Sequence, residues 1–144
     1  MRLIGLWDPS KREPEWKVYA LAEGNECPVL ERLGAWSTTR QFQAYADGLM
    51  NLIERISNDP RGPDLFHGNR AICHEAVEGE RIFRLRKGPL RLYWFYGEER
   101  RVVICPFCEQ KRSDKVEAST QRLLVAARDA YVVASQSMQI EIGF

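Results

Sequence analysis

Histidine and cysteine are scarce in this chain of 144 residues, which contains two histidines and four cysteines. A structural zinc site needs four ligands, usually supplied by two pairs of cysteine or histidine residues. Cys105 and Cys108 form one such pair, but Cys73 and His74 are neighbours on a predicted strand and point to opposite faces. We therefore predict small buried thiols at Cys105 and Cys108, with no metal and no cofactor. Zinc binding and redox chemistry are the less favoured alternatives.

Long apolar runs are also missing, since no segment approaches the length that a membrane span requires. The apolar start of the chain soon meets Asp8 and Lys11-Arg12, which does not fit a secretory signal. We expect a cytoplasmic protein with reduced cysteines and no membrane partner. The chain contains no G-x-x-x-x-G-K-[ST] loop, so a P-loop nucleotide hydrolase is excluded.

Charge of one sign is not in excess, because 21 basic residues face 20 acidic ones and the net charge is +1. A nucleic-acid-binding domain is often more basic than this, so a nucleic-acid site would require local clustering. Six basic residues do fall within the twenty positions from Arg81 to Arg100. The positive charge is therefore concentrated in one stretch of the chain.

This basic stretch predicts three consecutive antiparallel strands, at 81–86, 91–96 and 102–105, separated by turn residues. A two-residue loop at Gly88-Pro89 and a four-residue loop at 87–90 both place Arg86 opposite Arg91. Because directly opposed residues share a face, one face carries Phe83, Leu85, Leu92, Trp94, Val103 and Cys105. The other face carries Arg84, Arg86, Arg91, Tyr93, Val102 and Ile104.

The arginines on one sheet face allow two interpretations. An antiparallel sheet packed on one side only has a solvated face, where arginines are common. Alternatively, the face is an anion site, because the planar guanidinium fork fits phosphate and neighbouring aromatic rings can stack on bases.

Before this stretch, the sequence predicts a polar linker at 8–15, a strand at 16–22 and a helix opened by Cys27-Pro28. A second helix ending at 58–63 and a strand at 71–77 follow. After the stretch, we predict a final helix ending near Ser135. Thr38, with Gln41 three residues later, is a capping-box signature for the second helix. Ser113-Asp114 is a candidate cap for the final helix. Residues 139–144 form an apolar tail that either frays or packs on a partner.

This order of elements predicts an α+β layer fold in a single domain, residues 1–144. We expect an antiparallel or mixed sheet of about four to five strands, two N-terminal helices and a C-terminal helix. Residues 1–15 would form an N-terminal extension, 16–112 the core, and 113–144 the last helix and tail.

Three motifs in the core follow one another: Phe83-Arg84-Leu85-Arg86, then Arg91-Leu92-Tyr93, then the apolar run from Val102 to Phe107 with Lys111-Arg112 after it. This succession resembles the RelE/HigB-type toxins of bacterial and phage toxin–antitoxin systems, within the RelE/ParE superfamily, and in particular the phage-derived HigB-like branch. The resemblance extends from Trp16 to the helix after Ser113.

The resemblance implies a RelE/ParE-like fold and a type II toxin that cleaves mRNA during translation without a metal. In that reaction the ribose 2′-hydroxyl attacks the neighbouring phosphate, and basic side chains stabilise the charge on the phosphorane. Carried over by position, the catalytic candidates are Arg86, Arg91, Tyr93 and Lys111, and the RNA-binding candidates are Arg84, Lys87 and Arg112. The implied partners are a helix-turn-helix antitoxin, mRNA and the ribosome.

Two departures leave the nuclease activity open. Glu109-Gln110 stand where the superfamily commonly has a Lys-Lys pair, and Arg84 stands where an acidic residue is frequent. The ParE branch shares the fold but poisons DNA gyrase, so fold alone does not decide function. The alternative is therefore a non-enzymatic protein of this fold, either a gyrase-directed toxin or a phage interaction protein.

Overall fold

The computed structural model describes residues 1–144 as an α+β arrangement of three α-helices and a seven-stranded mixed sheet. The strands are β1 (Arg2–Gly5), β2 (Lys17–Ala22), β3 (Cys73–Val77), β4 (Ile82–Lys87), β5 (Leu90–Tyr96), β6 (Val102–Gln110) and β7 (Glu141–Gly143). The helices are α1 (Pro28–Ser37), α2 (Gln43–Asn58) and α3 (Ala118–Gln136), and a short 3-10 helix covers Gly62–Phe66. No helix combines the length and apolar character that a membrane crossing requires.

The sheet exceeds the predicted four to five strands because β1 and β7 join it, in the order β3-β4-β5-β6-β2-β1-β7. The β2–β6 and β1–β7 pairs are parallel and the others are antiparallel. Residues 2–5, predicted as part of an extension, pair with β2, and Leu3 also lies opposite Ile142 of the tail. Phe144 then packs edge-on against Trp7, with ring centroids 5.0 Å apart. The tail is therefore not frayed, and its packing on a partner stays a prediction.

Both faces of the sheet are buried, which excludes a fully solvated face. Helices α1 and α2 cover one face, where Leu85, Leu92 and Trp94 join a core cluster of 19 buried residues. Helix α3 covers the other face, where Leu124 and Tyr131 join a second cluster of 12 buried residues. The predicted division of the strand residues between two faces is confirmed, including Val103 and Cys105 on the first face and Val102 and Ile104 on the second.

The hairpin between β4 and β5 has the two-residue loop at Gly88-Pro89, with Lys87 opposite Leu90 and Arg86 opposite Arg91. Gly88 has a φ of +55°, which L-residues adopt reluctantly and which suits the first central position of a tight hairpin turn. The loop therefore aligns the two arginines across the strand pair, as predicted.

A β-bulge interrupts the pairing between β5 and β6. Tyr93 lies opposite Phe107 and Phe95 opposite Ile104, so β6 contains one extra residue near Pro106. Proline cannot donate to the ladder and is found at such irregularities. Beyond the bulge the alternation of faces is shifted, and Phe107 and Glu109 lie on the face of Tyr93 and Arg91.

Two of the predicted helix starts are wrong. The Thr38 and Thr39 hydroxyls donate to the Ala35 carbonyl at the end of α1, at 3.1 and 2.7 Å, and α2 begins only at Gln43. Likewise, α3 begins at Ala118 and Asp114 does not cap it. In contrast, the helix start at Cys27-Pro28 is confirmed, since α1 begins at Pro28.

Candidate anion-binding site

Three guanidinium groups converge on one carboxylate on the same sheet face as α3. Arg84, Arg86 and Arg91 approach Oδ1 of Asp114 at 3.8, 3.3 and 3.5 Å. The arginines come from β4 and β5, whereas Asp114 comes from the segment between β6 and α3. We call these four side chains the arginine cluster.

The arginine cluster is buried on its protein side and open on its Asp114 side. The side chains of Arg84 and Arg91 are each 1% exposed, while that of Asp114 is 55% exposed. Burial lowers the pKa of both buried guanidinium groups from their ordinary value, and the neighbouring Arg86 lowers them further. Both guanidinium groups nonetheless stay charged at neutral pH, because the ordinary pKa of arginine lies far above neutrality.

The buried guanidinium groups have too few acceptors. Arg91 Nη1 donates to the Gly88 carbonyl at 2.6 Å, and Arg84 Nη2 donates to the Arg70 carbonyl at 3.4 Å. Nε and Nη1 of Arg84 and Nε of Arg91 have no hydrogen-bond partner. An unsatisfied buried donor costs about 1–3 kcal/mol, and more when it is charged. Three positive charges face Asp114, with only Glu109 opposite Arg91 in addition, so the site is short of negative charge and of acceptor oxygens.

Tyr93 lies beside the cluster, fully buried, and its hydroxyl donates to Oε1 of Glu109 at 2.7 Å. Burial raises the pKa of this phenol, and the bond to Glu109 raises it further. A buried ring offers no face to a nucleic-acid base in this conformation, so Tyr93 does not stack on one here. Its hydroxyl instead holds Glu109 in place.

Glu109 is a site residue that the sequence did not assign to this face. It lies directly opposite Arg91 because of the bulge at Pro106. A proline in the middle of an apolar run was the signal for that bulge. The half-exposed ring of Phe107, two residues earlier, lies on the same face, with the Arg32 guanidinium 4.5 Å from its centroid.

The remaining predicted site residues, one catalytic and two RNA-binding, divide between the two faces. Lys87 lies on the helix side, where its side chain packs over Gly48 of α2, so it cannot act with the arginine cluster. Lys111 follows β6 on the cluster side, largely buried, with Nζ 3.4 Å from Glu117. Arg112 is exposed on the adjoining segment. The structure therefore brings Arg84, Arg86, Arg91 and Tyr93 together on one face, with Lys111 and Arg112 in the segment that leads to Asp114 and Lys87 on the opposite face.

The cysteines lie away from this site. Cys27, Cys105 and Cys108 are buried in the core under α1 and α2, and no group of three or more His, Cys, Asp or Glu residues is placed to hold a metal ion. All four thiols are free. Burial raises the pKa of Cys108 to about 12 and that of Cys73 to about 11.

We expect these thiols to be unreactive in the folded protein, because the thiolate is the reactive form and burial disfavours it. Iodoacetamide at neutral pH should leave Cys27, Cys105 and Cys108 unmodified by mass spectrometry, whereas all four cysteines should be labelled in denaturant. Rapid labelling of Cys105 or Cys108 before unfolding would contradict their placement in the core.

The arrangement can perform two chemical tasks. The arginine cluster can bind an anion with more oxygens than Asp114 supplies, and the Glu109 carboxylate can accept a proton next to that anion. Comparison with protein-family models and with curated proteins found no match to this chain.

Proposed function

We propose that this protein is a toxin of the RelE/HigB type, an endoribonuclease that cleaves mRNA at the arginine cluster and is neutralised by an antitoxin. The observation that carries the proposal is the excess of buried guanidinium donors over acceptors at Arg84 and Arg91. A phosphodiester supplies the missing negative charge and oxygens. The motif resemblance supplies the reaction.

The proposed reaction uses the side chains of the cluster. With the phosphate bound by Arg84, Arg86 and Arg91, Glu109 takes the proton of the ribose 2′-hydroxyl, whose oxygen attacks phosphorus. The bond from phosphorus to the 5′-oxygen breaks, and that oxygen receives a proton from Lys111. The products are a 2′,3′-cyclic phosphate and a 5′-hydroxyl.

Stabilisation of the phosphorane is the role proposed for the arginines. Donors aimed at developing charge in a water-poor site contribute strongly to rate. Arg84 and Arg91 are buried and held by strands, so little reorganisation is needed as the charge grows. Arg86 is the most exposed of the three and is the first to meet the substrate.

An antitoxin of the helix-turn-helix class is the proposed protein partner, with mRNA on the ribosome as the substrate. The exposed groups Arg86 and Arg112 present positive charge at the mouth of the site. An acidic segment of the antitoxin laid over them would block RNA electrostatically.

Burial of the cluster favours a second candidate, a non-enzymatic protein of the same fold. In this structure Asp114 lies over Arg84 and Arg91, which are both inaccessible. A protein that uses the scaffold only for binding, such as a gyrase-directed toxin or a phage interaction protein, does not need the arginines of the cluster to be accessible.

We expect Arg86→Gln to reduce RNA cleavage by about tenfold or more, because a charge-assisted contact of about 1.5–3 kcal/mol is lost. Incubation of single-stranded RNA with protein in chelator, followed by mass analysis of the product ends, measures the reaction. Arg40→Gln is the matched control, since Arg40 is exposed between α1 and α2, on the opposite side of the sheet. Full cleavage by Arg86→Gln, with an unchanged melting temperature, would place the reaction elsewhere. Absence of cleavage by the parent protein, on both free and translated message, would favour the non-enzymatic candidate.

A further inference from the structure

We propose that Asp114 is an internal competitor for the phosphate, an occupant of the arginine cluster that RNA must displace before it binds. The inference rests on the proposed function for the identity of the ligand, and it adds a mechanism of self-inhibition to that function.

The geometry of the carboxylate is the first observation. The ion pairs of Arg84, Arg86 and Arg91 with Asp114 are all made to the same oxygen, Oδ1. Only Arg86 lies within hydrogen-bond distance of it with suitable geometry, at 3.3 Å. One carboxylate oxygen is thus shared by three guanidinium groups, whereas a phosphate presents oxygens in several directions and can pair with each guanidinium through two hydrogen bonds.

The remaining unsatisfied donors are the second observation. Even with Asp114 in place, Arg84 retains two unpartnered nitrogens and Arg91 one. A structural ion pair that had been optimised in the interior would satisfy these donors, because buried ion pairs are favourable only with complete hydrogen bonding. The cluster is therefore incompletely filled by its own carboxylate.

The segment that carries Asp114 is short and is anchored at both ends. At one end the Lys111 amide donates to the Pro89 carbonyl at 2.8 Å. At the other end Val116 is buried in the core under α3. Between them, residues 112–115 are exposed and belong to no helix or strand. Displacement of Asp114 therefore requires only these residues to move.

The affinity for inorganic phosphate tests the proposal independently of RNA cleavage. Asp114→Asn removes the competing charge and should bind inorganic phosphate about tenfold more tightly, the equivalent of one charge-assisted hydrogen bond regained. Calorimetric titration of the full chain with phosphate, against chloride at equal ionic strength, measures this change. Asp129→Asn is the control, because it removes an exposed carboxylate paired with Arg128 on α3. It should bind phosphate like the parent protein.

Loss of Asp114 removes the one carboxylate that contacts all three arginines and leaves only Glu109 beside Arg91, so the variant should melt at lower temperature in chloride and recover in phosphate. Should it not fold, the parent protein provides the second measurement. Phosphate should accelerate tryptic cleavage after Arg112 and Lys115 of the parent, since it releases Asp114 from the three arginines and frees that segment. Slower or unchanged cleavage, relative to chloride at equal ionic strength, would overturn the proposal.

The outcomes separate this inference from the nuclease. Equal phosphate affinity in Asp114→Asn and the parent protein overturns the internal competitor, whether or not RNA is cleaved. Tighter phosphate binding without cleavage by either protein supports the internal competitor and counts against the nuclease. Tighter phosphate binding with faster RNA cleavage supports both.

Discussion

Glu109→Gln should slow RNA cleavage by about two to four orders of magnitude, the usual contribution of a positioned general base. The amide oxygen of Gln can still accept the bond from the Tyr93 hydroxyl, which is 2.7 Å long in the parent protein. Folding should therefore be preserved, while the group that takes the 2′-hydroxyl proton is lost. Single-turnover cleavage of a short RNA, with binding measured separately, gives the rate and the affinity.

RNA affinity should not fall in this variant, because Glu109 contributes no positive charge to the phosphate contacts. Glu54→Gln is the matched control, since Glu54 is exposed on α2, on the opposite side of the sheet. A Glu109→Gln protein that melts normally and cleaves at the parent rate would show that another group is the base. A parallel loss in Glu54→Gln would show that the change is not specific to the site.

Gly88→Ala should destabilise the protein by about 3 kcal/mol, combining about 1–2 kcal/mol for a left-handed backbone with about 1–3 kcal/mol for overpacking. Gly88 has a φ of +55°, and an added Cβ would clash with the Tyr45 ring. That ring lies against the turn that aligns Arg86 with Arg91. Urea unfolding, with the slope compared between variants, measures the change in free energy.

Gly79→Ala is the matched control, because it introduces backbone strain without a clash against a neighbouring side chain. Gly79 has a φ of +78°, but an added Cβ would meet no atom within 4 Å. This control should lose only about 1–2 kcal/mol. Equal losses in the two variants would mean that Tyr45 yields easily and that the hairpin turn is not held by that contact.

The hairpin of β4 and β5 could be derived from the residues in order. Side chains alternate along a strand, and a tight turn at Gly88-Pro89 determines which residues oppose each other. Arg86 opposite Arg91, and the separation of the arginines from the apolar side, therefore followed from local pattern alone.

The surroundings of that hairpin could not be derived in the same way. β1 and β7 are short and depend on pairing with strands far along the chain, so their own residues carry little signal. A bulge at Pro106 interrupts the alternation of side chains along β6, so that Glu109 lies opposite Arg91. A single extra residue reverses every side chain beyond it.

Asp114 is a residue to which the local sequence pattern and the tertiary structure assign different roles. Its position shortly before α3 is typical of a helix cap, because short acidic side chains satisfy the free amides there. Three buried or half-buried guanidinium groups attract the same carboxylate more strongly, and α3 begins without a side-chain cap at Ala118. The residues next to Asp114 in the chain carry no sign that these guanidinium groups lie beside it, because the arginines belong to distant strands.

The sequence by itself determined the α+β class, the arginine hairpin and its two faces, since each depends on periodicity over a few residues. Only the tertiary structure decided that both faces are buried, that Lys87 stands apart from the arginines, and that Asp114 and Glu109 join them. These outcomes depend on contacts between segments distant in the chain, where the energy of pairing charges and covering apolar surface outweighs local preference.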